Sequence, residues 1–327
     1  EILGFLTDST AADVDAAVDA AKRAYPAWRN TPAPERGRIV RDAGRLFEQR
    51  TKEIGRALTL EEGKVLAESE GEVLKGAILC EWFSGQARRL NGETVPSEIP
   101  NTFACTVREP LGVVGLITPW NFPMAIPAWK IAPALVTGNT IVLKGAEQTP
   151  WVTELVVQAF IDAGVPAGVL NMVQGGPTAG KAIVEHPDIE AISFTGSTEV
   201  GHAINARGAA LGKRVQCELG GKNPIIVLDD GDLDMAVAAT AKGGFGSTGQ
   251  RCTATSRAIV QKGVFDEFLA RITAEAKAVV PGPGLDPKTT MGPSVDQDQF
   301  GKVLDYLSIG ANEGAQIHAG GARATDG

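Results

Sequence analysis

Between residues 110 and 229, short apolar runs of β-forming residues alternate with stretches of helical periodicity, and this alternation constrains the fold most. The apolar runs are residues 112–118, 139–144, 169–174, 191–195 and 223–229, and the helical stretches are residues 127–136, 150–163, 178–185 and 198–210. Continuous apolar strands separated by helices favour a parallel sheet that is covered on both faces. The sequence therefore predicts a doubly wound α/β core whose ligands bind at the carboxyl ends of the strands.

The segments on either side of this core have different patterns. The first 90 residues are helical in period, with helices predicted over residues 13–24, 36–60 and 72–90. Asp13 is the expected N-cap of the first helix and Pro26 its expected stop. Residues 91–109 carry prolines and short β-type stretches, which predicts a small β-hairpin arm. Beyond residue 229, a helix, a strand at 258–261 and a helix at 264–280 predict a second α/β domain.

Composition excludes several classes of protein. The chain has 327 residues and a formal net charge of −8, which argues against nucleic acid as a partner because phosphate binding needs a basic surface. No run of about 18 apolar residues occurs, so we expect no membrane span. The four cysteines lie far apart without CxxC pairing, so we expect neither a disulfide scaffold nor a metal site, and a reducing cytoplasm is the expected location.

Two glycine-bearing segments follow predicted strands. Gly196 and Ser197 end an apolar strand directly before a helix, where close backbone approach and free N–H groups suit a pyrophosphate. Many strand–turn–helix units share this pattern. Glu218 precedes two glycines, and such a glutamate is either a solvated loop charge or a general base held in a cleft. With only three histidines, none in a motif, a carboxylate base is the expected choice for an enzyme.

Two further residues are suited to nucleophilic chemistry. Cys252 lies in a small polar loop, where Arg251 and the backbone favour the reactive thiolate; a lone cysteine is more often an inert buried residue. Asn121 lies between two prolines at the end of a predicted strand. That arrangement is usually a turn, but it can also aim an amide N–H at a developing oxyanion.

Taken in order along the chain, these segments resemble the NAD(P)-dependent aldehyde dehydrogenase superfamily. The matching segments are residues 119–123, 144–147, 194–201, 218–222 and 249–252. Glu218 and Cys252 are 34 residues apart, the usual separation in that family. The resemblance implies a Rossmann-like NAD-binding domain at residues 1–90 and 110–220, an oligomerisation arm at 91–109 and a catalytic domain at 221–327. Family chains normally continue further, so we expect this chain to be incomplete at its C-terminal end.

The resemblance also implies roles for individual residues. Cys252 would attack the aldehyde, Asn121 would stabilise the oxyanion, and Glu218 would activate the water that hydrolyses the thioester. Lys130 matches a recurrent lysine near that site, although a helix-surface lysine is the alternative. The cofactor would be NAD, with NADP possible, and its expected contacts are Thr118, Trp120, Lys144, Glu147, Gly196, Ser197, Leu219 and Gly220.

The expected substrate is a small aldehyde that carries a carboxylate. Residues 103–110 and 249–257 most resemble members that oxidise α-ketoglutaric semialdehyde, and succinic semialdehyde or another aldehyde is the alternative. A guanidinium can bind a carboxylate through two hydrogen bonds, which makes Arg251 a candidate; a loop-capping or solvated arginine is the other interpretation. A homodimer or homotetramer is the expected assembly. A non-catalytic binding protein of the same fold is the alternative from another class.

Overall fold

The protein is described by a computed structural model that covers residues 2–324. Contacts divide these residues into two compact units. The first contains the described residues up to Ile54 together with Glu70–Glu218. The second contains Gly55–Ser69 and the described residues from Leu219 onward. The assignment of a cofactor-binding role to the first part of the chain stays a prediction.

The chain begins with four helices and a short hairpin. The helices are α1 (Ala11–Asn30), α2 (Ala33–Gln49), α3 (Thr51–Glu62) and α4 (Leu66–Gln86), and the hairpin strands are β1 (Thr94–Val95) and β2 (Ala104–Cys105). The two strands are antiparallel, with Thr94 opposite Cys105, so the segment forms the expected hairpin.

Two predictions about α1 are wrong. Thr10 is the N-cap, and its side chain accepts a hydrogen bond from the Asp13 N–H while the Asp13 carboxylate bonds back to the cap in a capping box. Pro26 lies inside the helix rather than at its end. Its missing N–H removes one helical hydrogen bond, but the last turn buries Trp28, which is only 2% exposed. The helix therefore continues past the proline and buries this indole.

A five-stranded parallel sheet forms the centre of the first unit. Its elements are β3 (Val113–Ile117), α5 (Ala125–Val136), β4 (Thr140–Lys144), α6 (Pro150–Asp162), β5 (Leu170–Val173), α7 (Pro177–Glu185), β6 (Ala191–Thr195), α8 (Thr198–Ala210) and β7 (Arg214–Glu218). The strand order is β5-β4-β3-β6-β7. Every residue of β3 and β4 is buried, which explains why these strands are mostly apolar. The predicted doubly wound α/β core is confirmed.

Strand β7 was not predicted from the sequence. Its residues alternate between exposed and partly buried, as in an edge strand, and several are polar. The pattern therefore lacks the continuous apolar run that identifies β3 and β4.

The second unit contains a separate small sheet. Its elements are β8 (Asn223–Val227), α9 (Leu233–Phe245), β9 (Thr255–Val260), α10 (Phe265–Ala278) and α11 (Gln297–Asn312). Strand β8, predicted as a member of the main sheet, instead pairs in parallel with β9. Val227, Val237 and Phe268 form a core beneath these two strands. In the described part of the chain, no helix combines the length and apolar character needed to cross a membrane.

Candidate active site

The order of the strands reverses between β3 and β6, and in doubly wound sheets ligands bind at that point, beyond the carboxyl ends of the strands. Thr118 directly follows β3 and Gly196 directly follows β6. The Thr118 hydroxyl oxygen is buried and has no hydrogen-bond partner, an unusual state for a buried polar atom. The sheet therefore presents an unsatisfied hydroxyl where its topology predicts a ligand.

Lys144 and Glu147 lie together at the end of β4. The Lys144 Nζ is 3.6 Å from Glu147 Oε2, and the side chains are 10% and 49% exposed. Burial lowers the pKa of Lys144, and the charge of Glu147 partly opposes that shift. A cavity of about 320 Å³ opens beside Glu147 and is also lined by Asp8, Gln174 and Gly176. A cation and an accessible carboxylate beside a cavity are suited to binding sugar hydroxyls.

Gly196 and Ser197 form the turn that leads into α8. The Ser197 side chain caps this helix by accepting a hydrogen bond from Val200 N at 3.3 Å. A Cβ atom on Gly196 would lie 2.5 Å from the Phe194 ring, so a larger residue does not fit there. This closely packed turn lies directly at the N-terminus of α8, where the helix dipole favours an anion.

Glu218 is the last residue of β7 and lies near a partly buried lysine. The Lys130 ammonium donates hydrogen bonds to Ser193 Oγ at 2.6 Å and to Gln216 Oε1 at 3.4 Å. Burial lowers the pKa of Lys130 to about 8, while the negative charge of Glu218 acts in the opposite direction. Lys130 is therefore part of a polar cluster rather than a solvated surface residue.

Asn121 and Trp120 lie in the turn between β3 and α5. A buried carboxylate anchors the far end of this turn, because Glu72 Oε1 accepts hydrogen bonds from Met124 N at 2.9 Å and Ala125 N at 3.0 Å. Glu72 is 4% exposed. By satisfying N–H groups at the start of α5, it fixes the helix that carries Lys130 and the turn that carries Asn121.

Cys252 lies in the second unit, three residues before β9. Its thiol is partly exposed and free, and its backbone oxygen accepts a hydrogen bond from Asn223 Nδ2 at 2.8 Å. The preceding segment holds Ser247 at φ 49° and Thr248 at φ 58°, in the left-handed region. Each such residue costs roughly 1–2 kcal/mol, so contacts elsewhere must hold this conformation.

Arg251 contacts protein groups within the second unit. Its guanidinium bonds Glu68 Oε1 at 2.8 Å and Ser247 Oγ at 2.8 and 3.0 Å. Its Nε and Nη2 nitrogens, which form one of the two edges that can bind a carboxylate, are thus already engaged. These contacts favour the loop-holding interpretation of Arg251 over substrate binding.

The structure brings together Lys144 with Glu147 and Lys130 with Glu218, all within the first unit. Asn121 also belongs to the first unit, whereas Leu219, Gly220 and Cys252 belong to the second. The meeting of Asn121, Glu218 and Cys252 at one centre stays a prediction. Within the described residues, no group of three or more His, Cys, Asp or Glu side chains is arranged to hold a metal ion.

Four residues near these groups were missed by sequence reasoning, namely Glu68, Glu72, Ser193 and Gln216. Gln216 had a usable signal, since it lies two residues before Glu218 and alternate residues of a strand share a face. Ser193 is its partner in the register of β6 and β7. Glu68 and Glu72 lie on a helix distant in sequence from the groups they bind, so no local pattern identifies them.

Comparison with known proteins gives a consistent result. The aldehyde dehydrogenase family profile matches residues 1–327. The chain is 43% identical over 328 residues to an α-ketoglutaric semialdehyde dehydrogenase of Bacillus subtilis, covering 100% of this chain and 67% of that protein. It is 46% identical over 322 residues to an α-ketoglutarate semialdehyde dehydrogenase of Haloferax volcanii, covering 98% and 66%.

A solved structure also matches throughout. The NAD⁺ complex of an aldehyde dehydrogenase from Bacillus cereus superposes with a TM-score of 0.97 at 37% identity, covering 100% of this chain and 67% of that one. The chain thus spans about two thirds of the length of the relatives it matches. With a family profile that covers the whole sequence and two relatives above 40% identity, the chain belongs to the aldehyde dehydrogenase family.

Proposed function

We propose that the protein oxidises an aldehyde to the carboxylic acid with NAD(P)⁺. The observation that carries this proposal is the Glu218–Lys130 pair at the carboxyl edge of the sheet, in a chain of the aldehyde dehydrogenase family. A carboxylate can act as a general base that accepts a proton from water. Glu218 is the exposed last residue of β7, and the partly buried Lys130 is its neighbour.

In this mechanism the Cys252 sulfur attacks the aldehyde carbon and forms a thiohemiacetal. The Asn121 side-chain amide and the Cys252 backbone N–H donate hydrogen bonds to the resulting oxyanion. NAD(P)⁺, when bound, supplies an acceptor for the hydride of that carbon. Glu218 then takes a proton from the water molecule that hydrolyses the thioester, which releases the acid and restores the Cys252 thiol.

We assign the pyrophosphate of the cofactor to the turn at Gly196 and Ser197 and its adenosine ribose to Lys144 and Glu147; further contacts are proposed for Thr118, Trp120, Leu219 and Gly220. The fit rests on the unsatisfied Thr118 hydroxyl and on the cavity beside Glu147. The Bacillus cereus relative binds NAD⁺.

We propose that NAD⁺ is preferred over NADP⁺. The Glu147 carboxylate can accept hydrogen bonds from ribose hydroxyls but would repel a 2′-phosphate. Glu147→Gln should therefore raise the NADP⁺-to-NAD⁺ ratio of kcat/KM by about fivefold, because one repulsive charge is worth on the order of 1 kcal/mol. Glu154→Gln, an exposed change on α6, is the matched control. An unchanged ratio in Glu147→Gln would show that Glu147 does not discriminate.

We propose a carboxylate-bearing semialdehyde, α-ketoglutaric semialdehyde first and succinic semialdehyde second, as the substrate. Support comes from the two relatives whose names state that activity. The test is a kcat/KM panel on the full-length protein, with α-ketoglutaric, succinic and glutaric semialdehydes, betaine aldehyde and a plain alkyl aldehyde. The carboxylate-bearing aldehydes should exceed the others by at least about tenfold, since a buried ionic contact is worth more than about 1.4 kcal/mol. A plain or cationic aldehyde as the best substrate would refute the assignment.

We also propose a homo-oligomer, either a dimer or a tetramer, that forms through the hairpin arm. The arm exposes apolar side chains that a monomer would leave in water, including Phe103 at 78% and Val107 at 75% exposure. A cytoplasmic location is proposed because all four cysteines are free thiols.

A further inference from the structure

The segment just before Cys252 adopts a backbone conformation that its residues do not favour. Ser247, Thr248 and Gly249 have φ values of 49°, 58° and 67°, three consecutive residues in the left-handed region. Glycine adopts this region freely, but serine and threonine do not. Asn101 is the one other non-glycine residue with a positive φ among those that the structure describes. Such strain persists only where the surrounding structure holds it.

Glu68 is at the centre of the contacts that hold this segment. Its carboxylate accepts the Ser247 N–H at 2.9 Å through Oε1 and at 3.2 Å through Oε2. The Arg251 guanidinium donates to Glu68 Oε1 at 2.8 Å and also bonds the Ser247 hydroxyl. One carboxylate therefore links the first strained residue to the residue that precedes Cys252. Both charged side chains are largely buried, at 22% and 25% exposed, so solvent screens the pair only in part.

The other side of the loop is fixed to a neighbouring segment of the second unit. Thr248 Oγ1 donates to Gly292 O at 2.8 Å, and Gln250 Nε2 donates to Pro293 O at 3.3 Å. Gly246 leaves room for the arginine, since a Cβ there would be 2.9 Å from an Arg251 nitrogen. The loop is thus bonded on both sides, but only the Glu68 side carries charge.

We propose that Glu68, acting through Arg251 and the Ser247 N–H, is a positioning residue that holds residues 247–252 in the conformation that presents the Cys252 nucleophile. The inference rests on the proposed role of Cys252. It also assigns Arg251 a function other than binding the substrate carboxylate. Without the Glu68 carboxylate, the Ser247 N–H loses its acceptor and Arg251 its counter-ion, and the strained residues relax toward ordinary φ values. The Cys252 sulfur and backbone N–H then move together.

The test compares full-length Glu68→Ala, Glu68→Gln and Arg251→Lys with the wild type. Glu81→Gln, an exposed glutamate on the same helix, is the control. Amide hydrogen exchange of residues 246–252 reports on the loop itself and does not depend on activity. Steady-state kinetics with the best aldehyde report on presentation of the nucleophile. Because kcat depends on attack geometry and KM largely on binding, the two parameters should separate.

In Glu68→Ala we expect exchange of this segment to be faster by at least about tenfold and kcat lower by about 10- to 100-fold, with the aldehyde KM within about threefold of wild type. The exchange rate and kcat of Glu68→Gln should lie between those of Glu68→Ala and the wild type, because the glutamine carbonyl can still accept the Ser247 N–H. Glu81→Gln should match the wild type. If Glu68→Ala fails to fold, Glu68→Gln and Arg251→Lys decide by the same two measurements.

Wild-type exchange in these variants would overturn the inference, and so would faster exchange with unchanged kcat. A rise in the aldehyde KM with unchanged kcat would also overturn it, because a positioning residue acts on kcat. A wild-type protein that oxidises no aldehyde would refute the proposed function instead. In that case, exchange alone still decides whether Glu68 holds the loop.

Discussion

Lys130 shows how the environment of one residue sets its chemistry. Its ammonium is bonded to Ser193 and Gln216, yet burial lowers its pKa from 10.5 to about 8. Below about pH 8 the lysine is charged in both the folded and the unfolded chain, and folding bears the full cost of burying that charge. Between about pH 8 and 10.5 the folded protein releases a proton that the unfolded chain still binds, so stability from this group rises with pH.

Lys130→Met should reveal this contribution. The stability of the wild type relative to the variant should rise by about 2 kcal/mol between pH 7 and pH 10, because the variant has no proton to release. Thermal or urea unfolding at the two pH values measures the difference. The control is Lys181→Met, a change at an exposed lysine. Its stability should change between the two pH values by the same amount as that of the wild type. If the difference in unfolding free energy between Lys130→Met and the wild type does not change with pH, the account is contradicted.

The residues found from sequence and those missed differ in how far their partners lie along the chain. Lys144 and Glu147 are three positions apart and were recognised together, and the structure places them in contact. Glu72 and the N–H groups of Met124 and Ala125 are more than 50 positions apart. A buried carboxylate that serves a distant helix leaves no periodic or local pattern, so only the fold reveals it.

At the scale of elements, helices α2 and α4 pack closely because glycines of α2 face α4. A Cβ on Gly37 would lie 2.6 Å from Ala87 Cβ and 2.8 Å from Ser84 O. A Cβ on Gly44 would lie 3.0 Å from Cys80 Cβ. Alanine is the better helix former, so these glycines are present for packing rather than for helix stability.

Gly37→Ala should therefore destabilise the protein by about 1–3 kcal/mol despite its higher helix propensity, because overpacking forces the helices apart. A Cβ on Gly71 of α4 would meet no atom within 4 Å, so Gly71→Ala should stabilise by up to about 1 kcal/mol. Unfolding midpoints of the two variants measure both effects. Equal shifts of the same sign would contradict the packing argument.

Continuous burial made two of the strands easy to locate from the sequence. The mostly apolar strands β3 and β4 were located to within one residue, because a fully buried strand leaves a strong pattern. The residues of β7 alternate between exposed and partly buried, and this strand was not predicted. Strand β8 was located but assigned to the wrong sheet, because an apolar run does not indicate which strand it pairs with. Pairing is a long-range property that composition does not encode.

At the scale of the whole molecule, the proposed chemistry draws on both compact units. Asn121, Lys130 and Glu218 lie in the first unit, and Cys252 lies in the second with Glu68 and Arg251. The proposed nucleophile, base and oxyanion donor all come from sequence motifs, and they are divided between the two units. The reaction therefore tests the proposed roles of Asn121, Glu218 and Cys252 together.

The most direct measurement is rapid mixing of the full-length protein with aldehyde and NAD⁺, comparing the wild type with Glu218→Gln and Cys252→Ser. The account predicts that Glu218→Gln forms about one equivalent of NADH per site in a burst. It should then turn over at least about 100-fold more slowly than the wild type, because no base activates the water that hydrolyses the thioester. Cys252→Ser should give no burst. Steady-state turnover in Glu218→Gln equal to that of the wild type would contradict the central claim.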